Sequence, residues 1–268
     1  ICQIPLWIGT IYFFFKSIKN NKIADWIFLG TFSALGFLTK YIFAYLLISL
    51  FFYLIYIFFI RKKINFNFLY TVLIFFLITA PHFQWLIRND FTTIYYALKR
   101  GGLNEFNIYN HLLNPFKFLM SQILILLPFL LLIYLLIKKI KIKLPFDNQK
   151  FIFLLFSFLL PFFLILITSM VTGSRIRTMW MIPFYSLVGV FFIFLYQDSI
   201  NLKKLKSFNI LLIIFLIVSP TLYSLRSIYN DSRTGYEGKK IALQIEKEWK
   251  TISKDEISNV GFSEWYAG

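Results

Sequence analysis

The chain has 268 residues, of which 59% are hydrophobic and only 15% are charged. A soluble domain of this size needs a far more polar surface, so the composition excludes a soluble globular protein and predicts an all-α polytopic membrane protein. The formal net charge is +16, with 28 lysine and arginine residues. Basic residues that are separated by hydrophobic spans form no continuous groove, which argues against a nucleic-acid partner.

The two ends of the chain do not have the features of natural termini. The chain opens with ICQIPLWIGT, which has neither a methionine nor a charged flank, so it is not a signal peptide. It stops at SEWYAG, inside a segment with the pattern of folded structure. We therefore expect an internal fragment of a longer protein. Its one cysteine, Cys2, rules out an internal disulfide and a cysteine-based metal site.

Eight apolar runs are long enough to cross a bilayer, which takes about 20 residues with a range of about 17–25. We predict membrane helices at residues 1–15 (cut short), 23–39, 41–60, 64–80, 117–137, 151–168, 179–197 and 208–225. Prolines inside such runs are tolerated in packed membrane helices. Residues 1–228 are assigned to this membrane domain, which includes a long outer loop at 81–116.

The distribution of lysine and arginine over the connecting segments predicts the orientation of the protein. Alternate connections collect half of the 28 basic residues. These residues are Lys16, Lys19, Lys22, Arg61, Lys62, Lys63, Lys138, Lys139, Lys141, Lys143, Lys150, Lys203, Lys204 and Lys206. The crowded side is predicted to be cytoplasmic, so the opposite connections face the outside of a bacterial inner membrane.

Lys40 is the only charged residue between Trp26 and Ile60. In the stretch GFLTKY it lies at the outer turn between two apolar runs, where a lysine side chain can reach the membrane interface. An ammonium at the centre of a bilayer costs about 2.5–3.5 kcal/mol on insertion scales. Lys40 is therefore either an interfacial anchor or a ligand for an anion, and its lack of polar neighbours favours the anion.

The long outer loop runs from Pro81 to Phe116, and loops of this length are usually functional. We predict a helix within it that Asn89 or Asp90 caps and that ends at Gly101–Gly102, just after Arg100. Its mixture of aromatic and basic side chains is typical of a helix at the membrane interface. Asp90 is also a candidate general base, although a capping role explains it better.

A third outer segment, TGSRIRTMWMIPFY, carries Arg175 and Arg177 just before a membrane helix. The planar arginine side chain binds two phosphate oxygens at once. We predict that the outward cations converge on a phosphate at the membrane surface; they are Lys40, Arg88, Arg100, Arg175 and Arg177. The alternative is that each cation anchors to lipid headgroups, which we favour for Arg100 but not for Lys40.

The sequence offers little for metal or nucleotide chemistry. His82 and His111 are the two histidines, and neither an HxxxH nor an HExxH spacing is present, so a zinc site is not expected. His82 follows a proline at a helix exit, where a single histidine more often makes a local hydrogen bond. Glu105 is interpreted as a solvated loop charge. No phosphate-binding loop or dinucleotide fingerprint is present.

After Tyr229 the composition becomes rich in charges of both signs. Ile241, Leu243, Ile245 and Trp249 predict an amphipathic helix, with Glu246 and Lys250 paired four residues apart. The final stretch, ISNVGFSEWYAG, has the pattern of a strand entering a turn. We expect residues 229–268 to begin a small α/β extracytoplasmic domain that is cut short.

Four segments, in this order, resemble the integral-membrane glycosyltransferases of the GT-C fold, in the bacterial branch related to protein O-mannosyltransferases and the lipid A aminoarabinose transferase. They are GFLTKY, PHFQWLIRNDFTTIYYALKRGG, HLLNPFKFLMSQ and GSRIRTMWMIPFY. The resemblance implies transfer of a hexosyl or pentosyl group from a polyprenyl-phosphate-linked donor. The acceptor would be a lipid, a glycan or a protein on the extracytoplasmic face.

The resemblance also implies roles for individual residues. Lys40 matches the lysine that such enzymes aim at the lipid phosphate, and Arg175 and Arg177 match more loosely the basic groups before a late helix. The lid above the cavity would include His82, Arg88, Tyr95 and Arg100. The acidic base of such enzymes lies in the first external loop, in some members with a divalent metal. That loop would precede Ile1, so the base and the metal ligands are expected outside this chain.

The main alternative is a transporter or flippase for a lipid-linked or anionic substrate. Transporters place charges near the bilayer midplane in broken helices and often contain internal repeats. Here the charges lie at helix ends and the two halves show no repeat, which favours the transferase. A polymerase or ligase of surface polysaccharide would share the donor and the topology. An Asp or an Asp-Glu pair in the first external loop would favour the transferase over it.

Overall fold

The computed structural model describes residues 2–62, 66–101, 107–138, 144–229, 237–253 and 255–256. These residues are almost entirely helical, and the only β pairing among them is an isolated bridge between Ile137 and Ile200. The chain divides into two compact units, Ile1–Lys203 and Lys204–Gly268. The predicted all-α architecture is therefore confirmed for the part of the chain that the structure describes.

Several predicted features fall outside the described residues. The strand predicted near the end of the chain lies at 257–268, so the α/β character of the last segment stays a prediction. Gly102, Glu105 and four of the basic residues used for orientation are also outside the described ranges. Those four are Lys63, Lys139, Lys141 and Lys143.

Helices occupy nearly every predicted position in the first unit. They are α1 (Gln3–Asn20), α2 (Ile23–Thr39), α3 (Ala44–Arg61), α4 (Phe68–Arg88), α5 (Thr92–Arg100), α6 (Asn110–Leu136), α7 (Gln149–Leu154), α8 (Leu160–Thr172) and α9 (Val188–Tyr196). A 3₁₀ turn (Tyr41–Phe43) leads into α3, and a π-helical segment (Leu155–Leu159) joins α7 to α8. A longer 3₁₀ helix (Thr178–Leu187) precedes α9.

The second unit contains α10 (Leu205–Tyr229) and α11 (Gly238–Ile252). The amphipathic helix predicted after Tyr229 is therefore confirmed as α11. Its Lys250 ammonium pairs with the Glu246 carboxylate one turn earlier, and this pairing holds the pKa of Glu246 below its ordinary value.

Six helical segments among the described residues are long and apolar enough to cross a membrane. They are Tyr41–Ile60, Phe68–Arg88, Asn110–Leu136, Gln149–Thr172, Thr178–Ser199 and Leu202–Arg226. This confirms a multi-pass membrane protein. The predicted total of eight spans is not confirmed, because α1 and α2 are helical but fall outside this set, and α2 has only 17 residues.

The outer loop is shorter than the predicted 81–116. Helix α4 continues through Pro81 to Arg88, and α6 begins at Asn110 with Pro115 inside it. The predicted apolar run, 64–80, ended just before Pro81, and in soluble proteins a proline usually terminates a helix. In a membrane helix the hydrogen bonds that proline removes are compensated by neighbouring groups, so the helix continues.

The predicted cap of α5 is also wrong. The residue that precedes α5 is Phe91, with a left-handed backbone (φ 54°), and no side chain caps the helix. The Asn89 side chain instead donates a hydrogen bond to the Trp85 carbonyl at the end of α4 (2.8 Å). Asp90 is exposed in the same turn with φ 49°. The predicted end of α5 at Arg100 is confirmed.

Helix α2 lies against both α1 and α4, whereas α3 packs chiefly on α8. At the contact with α4, a Cβ on Gly30 would lie 2.8 Å from the Thr71 carbonyl oxygen, so only glycine permits this approach. Because α3 and α4 pack on different partners, these consecutive helices diverge.

The buried core fixes the turn that carries Lys40. The Trp7 ring is 1% exposed and contacts the rings of Phe43 and Phe184, with centroids 5.3 and 4.6 Å away. A Cβ on Gly36 would collide with the Phe43 ring, so glycine lets the chain fold back tightly after α2. The turn after α2 and the Thr178–Leu187 helix are thereby held by one aromatic cluster.

Candidate functional site

Lys40 lies between the end of α2 and the Tyr41–Phe43 turn, where its backbone is extended. Its ammonium stands 5.0 Å from the centre of the Trp180 ring, within range of a cation–π interaction. Among the described residues no carboxylate lies within ion-pair distance of it. Partial burial, and after it the positive charge of Arg100, hold the pKa of Lys40 below its ordinary value.

The end of α5 joins this site to the third outer segment. Arg100 is the last residue of α5 and donates a hydrogen bond to the Tyr96 hydroxyl (2.7 Å). The next residue, Gly101, accepts a hydrogen bond from the Arg175 backbone N–H (2.9 Å). The contact between Lys40 and Trp180 and the hydrogen bond between Arg175 and Gly101 therefore bring together three segments that are far apart in sequence.

The loop that carries the two arginines has a fixed backbone. Gly173 ends α8 with φ +68°, a conformation that favours glycine, and its carbonyl accepts a hydrogen bond from the Asn114 side chain (2.6 Å). The side chains of Arg175 and Arg177 are exposed. Neither has an ion-pair partner among the residues that the structure describes.

Tyr41 connects the turn at Lys40 to two other helices. Its hydroxyl lies 2.8 Å from Nε2 of His82 in α4 and 2.8 Å from the Thr93 hydroxyl in α5. The His82 ring also stacks on Trp85, with the two planes 12° apart. Through these contacts Tyr41 holds α5 against the turn that positions Lys40.

Sequence reasoning missed three participants in this site. Tyr41 and Thr93 were not singled out, and Trp180 was noted only as part of a motif. A tyrosine directly after the lone lysine of an outer turn was the available signal for Tyr41. Nothing local marks Thr93, because its partner comes from a distant segment.

Three further candidate residues have no described contact with Lys40 or Arg175. Arg88 is exposed at the end of α4, and the Tyr95 side chain is 65% exposed. Asp90 is exposed in the turn before α5. None of the contacts described for the chain connects these three residues to Lys40 or to Arg175, so their proposed roles as lid and base stay predictions.

The chemistry available here is that of fixed positive charge beside aromatic rings. Such a site is complementary to an anion with phosphate oxygens, because cations held in place need no reorganisation when an anion arrives. Within the described ranges no three or more His, Cys, Asp or Glu side chains gather at one point. These residues therefore do not form a donor set for the divalent metal that the resemblance implies.

Comparison with known families supports the resemblance. Residues 1–85 match the family described as dolichyl-phosphate-mannose-protein mannosyltransferase. The match extends from α1 almost to the end of α4 and includes Lys40, Tyr41 and His82. It confirms the similarity to membrane glycosyltransferases of the GT-C fold over this part of the chain. No curated protein and no solved structure matches.

Proposed function

We propose that this protein is a glycosyltransferase that moves a sugar from a polyprenyl-phosphate-linked donor to a lipid, glycan or protein acceptor on the extracytoplasmic face of the membrane. The observation that carries the proposal is that the turn with Lys40, the end of α5 and the loop with Arg175 are joined by contacts, namely Lys40 on Trp180 and the Arg175 N–H on the Gly101 carbonyl. The match of residues 1–85 supports it as well, because that family is described by a lipid-phosphate-linked sugar donor.

In the proposed chemistry the cations stabilise the leaving group, which is the lipid phosphate. As the glycosidic bond to the donor breaks, the lipid phosphate gains negative charge. A cation fixed beside that phosphate stabilises the transition state more than the ground state, and so it accelerates the transfer. Lys40 is the central contact in this proposal, and Arg175 and Arg177 supply arginine side chains to the outer phosphate oxygens.

The proposed topology places Lys40 and the arginines outside the membrane. It requires α1 and α2 to cross the bilayer in addition to the six longer segments. The 17 residues of α2 are at the lower end of the spanning range of about 17–25 residues. The last part of α1 and the short connection to α2 carry Lys16, Lys19 and Lys22, which suits a cytoplasmic position.

The lid proposed for this enzyme is α5 with the residues around it. The Tyr41 hydroxyl and the Arg175–Gly101 hydrogen bond attach α5 to the site at its two ends. The exposed aromatic side chain of Tyr95 and the exposed Arg88 would then contact the sugar or the acceptor when the lid is closed.

The test is transfer of radiolabelled sugar from polyprenyl-phosphate donors in membranes that contain the full-length protein. Lys40→Ala should lower transfer about 10²–10³-fold at an unchanged protein level, as expected when one preorganised group that stabilises an oxyanion is removed. Lys22→Ala, at the other end of α2, is the matched control and should retain activity. Full activity in Lys40→Ala would reduce Lys40 to an interfacial anchor.

A further inference from the structure

A groove opens where α3 and α4 diverge. Between these helices and α2 lies an apolar cavity of about 400 Å³, lined among others by Leu29, Ile48, Phe51 and Val72. The side chains of Ile48, Phe51 and Val72 are each more than a third exposed. The cavity is therefore open at the surface of the described bundle, between two segments that are apolar enough to cross a membrane, Tyr41–Ile60 and Phe68–Arg88.

The cavity continues toward the basic end of α3. A second cavity, of about 660 Å³, shares Trp26, Phe51, Leu54 and Phe68 with the first, so the two adjoin and are together called the groove. Both volumes lie in the range of about 300–1,000 Å³ that is usual for ligand sites. The second cavity ends at polar groups, because Asn21 and Lys62 line it.

The mouth of the groove carries positive charge. Lys62 follows the last residue of α3 with a left-handed backbone (φ 50°), and its side chain is exposed. In the part of the chain that the structure describes, no carboxylate lies within ion-pair distance of Lys62. Asp25, which directly precedes the lining residue Trp26, is buried and already paired with Lys16 at 3.0 Å. An apolar channel with a cation at its mouth is complementary to a lipid with a negatively charged headgroup.

We propose that this groove binds one anionic phospholipid, with the phosphate at Lys62 and an acyl chain between α3 and α4. The lipid fills the space between the two helices and packs against α3, whose other end follows the turn that carries Lys40. By the distribution of basic residues, this lipid belongs to the cytoplasmic leaflet. The site lies at the opposite end of α3 from Lys40, so the inference does not depend on the proposed sugar transfer.

The inference is tested on the full-length protein purified in detergent. Phosphatidylglycerol should raise the melting temperature, whereas phosphatidylcholine with the same acyl chains should have little effect at the same concentration. Native mass spectrometry should show one retained phosphatidylglycerol per chain. Lys62→Glu reverses the charge at the mouth and Val72→Trp fills the groove, and each should abolish the rise in melting temperature and the retained lipid.

Two matched variants control for general effects. Leu73→Trp adds the same bulk at a neighbouring residue that is 62% exposed and does not line the groove. Lys203→Glu reverses a charge in another basic connection, away from the lining residues. Both should keep the response to phosphatidylglycerol. Equal stabilisation by phosphatidylcholine, or a response that survives both Lys62→Glu and Val72→Trp, would overturn the inference.

The experiment also separates this lipid from the sugar donor. Lys40→Ala should leave the response to phosphatidylglycerol unchanged, because Lys40 is outside the groove. A response that disappears in Lys40→Ala would assign the groove to the tail of the donor lipid, and it would overturn the anionic phospholipid site.

Discussion

The lysines at the two ends of α2 have opposite environments. Near its beginning, the Asp25 side chain is 4% exposed and pairs with Lys16 at 3.0 Å. Just after its end, Lys40 faces the Trp180 ring, and the described residues place no carboxylate beside it. A charge that only has to be tolerated in an apolar bundle is neutralised by a partner. A charge that stays without one is available to a ligand.

The hydrogen bonds around the two lysines sharpen this difference. At the beginning of α2, the Asn67 side chain donates to Asn21 (2.8 Å) and the Trp26 indole donates to the same Asn21 oxygen (3.3 Å). These bonds tie the turn before α2 to the start of α4. At the other end, Tyr41 connects the turn to α4 and α5 through its hydroxyl, while the Lys40 ammonium faces the Trp180 ring. One end is built for stability and the other positions a cation.

The largest effect on stability is expected from Lys16→Met. The substitution leaves the Asp25 carboxylate buried without a cation, and its second oxygen has no hydrogen-bond partner among the described residues. Orphaning one member of a fully buried ion pair generally costs about 3–5 kcal/mol. We expect a smaller but clear loss here, because the Lys16 side chain is 38% exposed and the pair is partly screened. Thermal unfolding of the purified protein measures it.

The double variant Lys16→Met with Asp25→Leu is the control for this prediction. It removes both charges, and it should recover most of the lost stability because no carboxylate remains buried. If Lys16→Met melts at the same temperature as the parent protein, the pair has no structural role and the contrast between the two ends of α2 fails.

Tyr41→Phe is expected to lower sugar transfer about tenfold. The variant loses the hydroxyl contacts to His82 and Thr93, each worth about 0.5–1.5 kcal/mol, and α5 is then held less firmly over Lys40. Backbone hydrogen exchange in α5 should become faster. Faster exchange distinguishes the loosening of α5 from other causes of lost activity. Tyr134→Phe removes the hydroxyl of an exposed tyrosine in α6 that has no role in the proposed site, and it should change neither measurement.

Lys40→Met should leave stability within about 0.5 kcal/mol of the parent, as for a surface substitution that breaks no pair. Because the pKa of Lys40 is lowered on folding, the unfolded chain binds this proton more tightly. The parent protein therefore gains stability as the pH rises between the lowered pKa and the ordinary value of 10.5, and Lys40→Met lacks this gain. Melting temperatures across the alkaline range measure both effects. A large loss at neutral pH would give Lys40 a structural role.

The sequence was sufficient for features that depend on local composition. Charge-free apolar runs predicted the helices on both sides of Lys40, and they placed Lys40 at the turn between them. It was not sufficient where packing between distant segments decides. The path of α4 through Pro81 depends on neighbouring helices, and the contact between Lys40 and Trp180 depends on how the Thr178–Leu187 helix lies against α1. No local pattern encodes either one.

The smallest expected effect is a shift in pH dependence in Arg100→Gln. The positive charge of Arg100 is the second cause, after burial, of the lowered pKa of Lys40, so removing it raises that pKa. In the proposed mechanism Lys40 binds the donor phosphate as the ammonium, so kcat/KM for transfer should fall as the pH rises through its pKa. In Arg100→Gln this alkaline decline should move to higher pH, whatever the activity at neutral pH. Lys99→Gln removes an adjacent positive charge and should not change the pH at which kcat/KM declines. If the alkaline decline of kcat/KM stays at the same pH in Arg100→Gln, Arg100 is not part of the phosphate site. Lys40, Arg175 and Arg177 would then remain as the proposed cations of that site.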